Sequence, residues 1–288
     1  MKTAIIFGVN GQDGFYLSML LQKIEFKVIG IARTDSNTDL KSFESVGELV
    51  RKTTPDYIFH LAANSTTRHD ALFENHATIS TGTFNILEAV KIYSPQTKVF
   101  ISGSGLQFVN TEKPIKESDN FEARDAYSVS RIQSVYAARY YRKLGLQVYV
   151  GYFFNHDSPR RTERHMAKKI SEAVLRISNG SDEKLSIGDI SVIKEWTYAG
   201  DIVEGIWTLV LQDKIFEANI SSGLGYSIEQ WLNICFECVG KKWPEHVILK
   251  NDFNPEYKML VSDPSIIHSL GWSPKVSFNE MAKIMMNQ

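Results

Sequence analysis

The chain is predicted to be an α/β protein, with a doubly wound parallel sheet, helices on both faces and a smaller C-terminal lobe. Three observations predict this. Strand-like apolar runs alternate with amphipathic helical stretches through the first half of the chain. The first run opens into a glycine-rich turn and then directly into a helix. Beyond residue 155 the alternation becomes irregular, yet no Gly/Pro/Ser-rich linker marks a break.

In order, "KTAIIFG" reads as a strand and "FYLSMLLQKIE" as a helix. "FKVIGIA" is a second strand, "ESVGELVRKT" a helix and "PDYIFHLAA" a third strand. "ATISTGTFNILEAVKIY" is a long helix before the strand "TKVFISGS". The helix "YSVSRIQSVYAARYYRKLG" and the strand "LQVYVGYFF" follow. Right-handed crossovers between such strands make the sheet parallel and doubly wound. The division is therefore residues 1–155 for the sheet domain and 156–288 mainly for the lobe, some segments of which can return to the sheet. The lobe contains a basic helix, "AKKISEAVLRISNG", and the short strands "KLSIG", "EANIS" and "HVILK".

Composition narrows the function. With 288 residues, 43% apolar and 11% aromatic, the chain has enough material for a well-buried core. Its 32 Lys and Arg balance 33 Asp and Glu, so no overall charge draws it to nucleic acid or anionic membrane. No apolar run reaches membrane-spanning length. Met1 to Phe7 reads as a buried strand rather than a signal peptide, and reduced thiols at the two cysteines would fit a cytoplasmic protein. Cys235 and Cys238 form C-x-x-C inside a helical pattern with no second ligand pair nearby. A structural zinc site wants four ligands, so helix packing is the better reading and no metal is expected.

The turn "GVNGQDG" places Gly8, Gly11 and Gly14 at G-x-x-G-x-x-G spacing between strand and helix. Such a turn lets the backbone approach a pyrophosphate at the positive end of the helix. It predicts a Rossmann-type dinucleotide site, with Asn10, Gln12 and Asp13 in the same loop. After the second strand, Arg33 precedes Asp35. An arginine there suits the 2′-phosphate of NADP, and an acid suits the ribose hydroxyl of NAD. NADP(H) is favoured and NAD(H) is the alternative.

The glycine spacing resembles the extended short-chain dehydrogenase/reductases, the NAD-dependent epimerase/dehydratase family. "HLAA" is similar to that branch's loop beside the adenine ribose and brings in Leu61, Ala62 and Ala63. Asp39 and Leu40 sit where the family touches adenine. "GQDGFYL", "FFNHDSPRR", "GDISVIKEWTYAGDIVEGIW" and "LVSDPSIIHSLGWSPKVSF" resemble GDP-mannose 4,6-dehydratases and related 4-keto-6-deoxy-sugar-nucleotide reductases. The resemblance spans nearly the whole chain. It implies a nucleotide-activated hexose or heptose as substrate, held between the lobes, and a homodimer paired through the tyrosine helix. It places Phe154, His156 and Arg161 with the cofactor, and Asn155, Arg160, Lys169, Lys194 and Lys258 with the substrate.

The resemblance also locates the catalytic positions. Tyr127 falls at the acid/base tyrosine, and Arg131 stands where the family has lysine. The two lie one helical turn apart, so both face one side. A cation there favours tyrosinate, but arginine stays charged and cannot relay a proton. The dehydratases carry Ser-Thr-Ser-Glu where this chain has "SGSG", so Gly103 replaces the threonine and Gly105 the proton-abstracting glutamate. Ser102 and Ser104 are the candidate hydroxyl replacements. Asp125 and Glu122 read as loop acids exposed to solvent. Asn254 stands at an arginine position that touches the nucleotide, which puts guanine recognition in question. These departures favour reduction of a 4-keto-6-deoxy sugar nucleotide. Elimination by a dehydratase, or epimerisation, is the alternative. From another class, a cofactor-binding regulatory subunit without turnover fits the same changes.

Overall fold

A computed structural model describes residues 1–33, 38–250 and 252–286, so Asp35 lies outside the described residues. Its main sheet contains β1 (Thr3–Phe7), β2 (Lys27–Ile31), β3 (Tyr57–His60), β4 (Lys98–Ser104), β5 (Val148–Phe153) and β6 (Glu217–Ile220). All six strands are parallel, in the order β6-β5-β4-β3-β1-β2. The principal helices are α1 (Gln12–Lys23), α2 (Phe43–Thr53), α3 (Gly82–Tyr93), α4 (Ala126–Lys143), α5 (Met166–Ser178), α6 (Ala199–Val210), α7 (Ile228–Glu237) and α8 (Phe278–Met285).

Burial on both faces explains the continuous apolar strands. On one face, Val46 and Val50 of α2, Ile86 and Val90 of α3, and Val135 and Ala138 of α4 share a core with Ile5 and Val99. On the other, Leu17 and Leu21 of α1 pack with Ile202, Ile206 and Leu209 of α6. The order reverses at β1, whose neighbours β2 and β3 lie on opposite sides of it. Loops after β1 and β3 diverge there and open a crevice at the strands' carboxyl ends, the usual ligand position in such sheets.

The lobe has its own core, made by α5, α7 and α8 around Trp196 and Trp231, whose rings stack at 4.7 Å. "KLSIG" and "HVILK" supply Leu185–Ile187 and Val247–Leu249, which pair with each other in parallel. "EANIS" instead becomes β6, the edge of the main sheet beside β5. Ala218 and Ile220 find their apolar partners there, with α6. Glu195 joins the segments. Its buried carboxylate accepts bonds from the Ser222 and Ser262 amides and hydroxyls and from the Gly223 amide.

The predicted long helix is continuous from Leu72 to Tyr93 but winds as a π-helix at His76–Thr81. There the Ile79 carbonyl accepts from the hydroxyls of Thr83 (2.7 Å) and Ser134 (3.1 Å). That ties α3 to α4, which carries the tyrosine.

Candidate active site

The glycine loop is shaped for close approach. Gly8 has φ +92°, and a Cβ on it would lie 2.7 Å from the Ala62 amide nitrogen. A Cβ on Gly14 would lie 2.3 Å from the Gly8 carbonyl oxygen, so α1 can start against β1 only with glycine there. Beside this loop lies a cavity of 670 Å³. Gly8, Asn10, Gly11, Arg33, Asp39, Leu40, Leu61, Ala62 and Ala63 line it together. A cradle that side chains would fill, at the N-terminus of α1, fits the pyrophosphate and adenosine of a nicotinamide dinucleotide. Asn64, Glu74 and Thr78 also line the cavity. Sequence reasoning missed them because they come from the loop after β3 and from the helix beyond, with no motif of their own.

Gln12, Asp13 and His156 form a buried network rather than a row of ligand contacts. His156 Nε2 lies 2.9 Å from Asp13 Oδ1, and its Nδ1 lies 2.7 Å from the Phe154 carbonyl oxygen. Both ring nitrogens face acceptors, so the ring serves best as a doubly protonated donor. Burial opposes the charge on His156, but Asp13 outweighs it and holds the imidazole above its usual value. Burial likewise pushes Asp13 up, yet His156, Arg161 and Gln12 together hold it well below the carboxylate range. Gln12 donates to Asp13 and accepts from the Ser158 hydroxyl at 2.8 Å. Arg161 donates to the His156 carbonyl at 3.3 Å. The cofactor loop is thereby locked to the Phe154–Arg161 segment.

Tyr127 is the second residue of α4, and Asp125 caps that helix by accepting from the Tyr127 and Ser128 amides, each at 2.8 Å. Asp125 is thus a cap rather than a free loop acid. Arg131 is 4% exposed, and its guanidinium carbon lies 5.1 Å from the Tyr127 ring centroid. Its Nη1 donates to the Ser102 carbonyl and, at 2.7 Å, to the Ser102 hydroxyl oxygen. Ser102 gives its one proton to the His60 carbonyl at 2.9 Å. That leaves Ser102 without a proton for a substrate and sets it aside as a hydroxyl donor. His60 is pushed down to about 4 by burial and by Arg131, so it is neutral beside the cation. Arg131→Lys keeps a cation but loses the planar stack on Tyr127 and the guanidinium's fixed fork, so turnover is expected to fall by less than in Tyr127→Phe. A steady-state assay that shows loss as deep as removing Tyr127 would mean that the guanidinium shape is required.

The two glycines in place of threonine and glutamate are filled by aromatic rings. A Cβ on Gly103 would lie 2.5 Å from the Tyr152 ring, whose hydroxyl is anchored to Glu217 at 2.6 Å. A Cβ on Gly105 would lie 2.7 Å from the Phe154 ring. Phe154 therefore packs over Gly105, a role the cofactor assignment did not foresee. Ser104 accepts from the Leu106 amide at 3.2 Å and keeps its proton for another acceptor. Gly105 also borders a second cavity of 260 Å³, lined by Arg124, Asp125, Glu256 and Tyr257 among others.

The predicted substrate residues are dispersed. Asn155 has a buried Oδ1 with no hydrogen-bond partner. Arg160 stacks on Phe15, 3.7 Å from its ring centroid, next to the start of α1. Lys194 stands over Trp196 at 5.0 Å, and burial lowers its pKa against the opposing effect of Asp157. Lys169 donates to the Ser186 carbonyl at 2.8 Å inside the lobe, and that bond gives it a structural role. Lys258 is exposed. Among the described residues no group of His, Cys, Asp and Glu could hold a metal, and no helix is long and apolar enough to cross a membrane.

Comparison with known proteins decides the family. The family described as GDP-mannose 4,6 dehydratase matches residues 5–285. The chain belongs to this family. GDP-mannose 4,6 dehydratase 1 of Arabidopsis thaliana is 30% identical over 322 residues, covering 100% of this chain and 89% of that protein. RMD from Pseudomonas aeruginosa, solved with NADPH, superposes with a TM-score of 0.88 at 19% identity, covering 100% of this chain and 97% of that one. The dTDP-glucose 4,6-dehydratase of Bacillus anthracis, solved with NAD, superposes at 0.86 with 16% identity, covering 100% and 96%. The Rossmann-type fold predicted from the sequence is the fold of these structures. As a member of the GDP-mannose 4,6-dehydratase family, the chain is a nucleotide-sugar-modifying enzyme.

Proposed function

We propose that this enzyme reduces a 4-keto-6-deoxy sugar nucleotide, with NADP(H) preferred over NAD(H). The observation that carries this reading is the Phe154 ring lying 2.7 Å from where a side chain on Gly105 would begin. The position aligned with the family's proton-abstracting carboxylate has neither an acid nor room for one. Reduction needs no such base. A reduced nicotinamide cofactor held by the cavity beside Gly8, Gly11 and Ala62 would supply the hydride for the keto carbon. Tyr127 donates its hydroxyl proton to the keto oxygen, and the Arg131 guanidinium beside its ring offsets the negative charge left behind. Ser104 is the remaining hydroxyl donor to that oxygen. Asn155, Arg160 and Lys194 are assigned to the sugar-nucleotide side. A homodimer through α4 is supported by the exposed Tyr136 and Tyr140 on its outer face.

A second reading, 4,6-dehydration, is favoured by Glu256, a carboxylate that borders the cavity beside Gly105. An assay separates the two. Incubation with a GDP-linked 4-keto-6-deoxy sugar and NADPH is expected to consume one NADPH for each reduced sugar formed. Dehydration of GDP-mannose without added reductant would overturn the reductase reading. Binding of cofactor without turnover of either substrate would point to a regulatory subunit.

A further inference from the structure

We propose that Glu74 is a cofactor-selectivity residue, holding Arg33 in a neutral pair and weakening its preference for a 2′-phosphate. The proposal rests on the reading of the 670 Å³ cavity as the adenosine site of a nicotinamide cofactor. Arg33 lies two residues beyond β2, where the adenine ribose is read in this kind of sheet. Its side chain is 80% exposed, and its Nη1 is bonded to Glu74 Oε1. The other carboxylate oxygen, Oε2, accepts from Asn64 Nδ2 at 3.0 Å. Glu74 is therefore held at both oxygens, and all three residues are on the cavity wall.

The consequence is electrostatic. A 2′-phosphate approaching the guanidinium meets a carboxylate already fixed against it. Like charges so placed oppose binding even while Arg33 attracts. A ribose hydroxyl meets no such penalty, because it can donate to Glu74 and accept from Arg33. An acid of the kind that suits an NAD ribose is thus present in space, though it comes 41 residues after the arginine.

The test is a binding titration of the full chain with NADPH and with NADH, for the wild type, Glu74→Gln and Arg33→Ala. Glu74→Gln keeps an acceptor for Asn64 and removes the charge, and Glu74→Ala serves as a second variant. The ratio of Kd for NADH to Kd for NADPH is expected to rise about tenfold or more without the Glu74 charge, and to fall without Arg33. An unchanged ratio in both Glu74 variants, with both cofactors still binding, would overturn the role of Glu74 and leave the cofactor site standing. Failure of the wild type to bind either cofactor would overturn the site itself.

Discussion

Tyr127→Phe is expected to lower turnover of the keto sugar by about 10²–10⁴-fold, the usual contribution of a positioned general acid. The ring remains, so the stack with Arg131 and the α4 cap by Asp125 both survive. Cofactor affinity is therefore expected to change little while kcat falls. Stopped-flow reduction with a parallel NADPH titration checks both parts. Turnover equal to the wild type would remove Tyr127 from the chemistry. A matching loss of cofactor affinity would show that the hydroxyl mainly holds the cofactor.

The second large effect concerns the buried link between Asp13 and His156. Breaking a buried charge pair from one side costs about 3–5 kcal/mol, because the remaining charge loses its partner. Asp13 keeps 19% of its side chain exposed, which places His156→Ala at the lower end of that range. Urea unfolding measures it directly. The pH dependence has a definite sign. Asp13 is held below its usual 3.8, so its contribution is complete above that value and lost as pH falls through the depressed one. His156 is held above its usual 6.5, so its contribution is complete below 6.5 and lost as pH rises through the raised value. The link is strongest between these two usual values and weakens above 6.5. Stability of the wild type should fall as pH rises above 6.5 by more than that of His156→Gln. Equal slopes for the two proteins would show that His156 carries no charge in the folded state. Cofactor affinity should follow the same trend, since the link holds the glycine loop against Phe154–Arg161.

How much of this was legible in advance varied with distance along the chain. The glycine loop could be read because its three glycines answer local demands, a left-handed turn at Gly8 and helix-to-strand contact at Gly14. Strand–helix alternation was equally plain, since both faces of the sheet are covered and each apolar run is buried. The tyrosine and its cation came from the family resemblance, and helical spacing put them on one side of the helix. The assignments of Lys169 and Ser102 show where such reading stops. Their residue types suit ligand contacts, but one donates to the Ser186 carbonyl and the other to the His60 carbonyl. Hydrogen-bond partners from distant segments leave no trace in a local pattern.

The departures at Arg131, Gly103 and Gly105 mark a site altered in three places, and they are visible as letters. Local periodicity and turn chemistry are short-range, so fold class, cofactor loop and tyrosine helix follow from short stretches of chain. Packing is long-range. Only the folded chain shows Phe154 over Gly105, Tyr152 over Gly103, Arg131 turned in to Ser102, and Glu74 against Arg33. Each of these contacts joins segments that the sheet brings together at its carboxyl edge. They determine which atoms are free to act, because a proton or a charge already held by the protein is not available to a substrate.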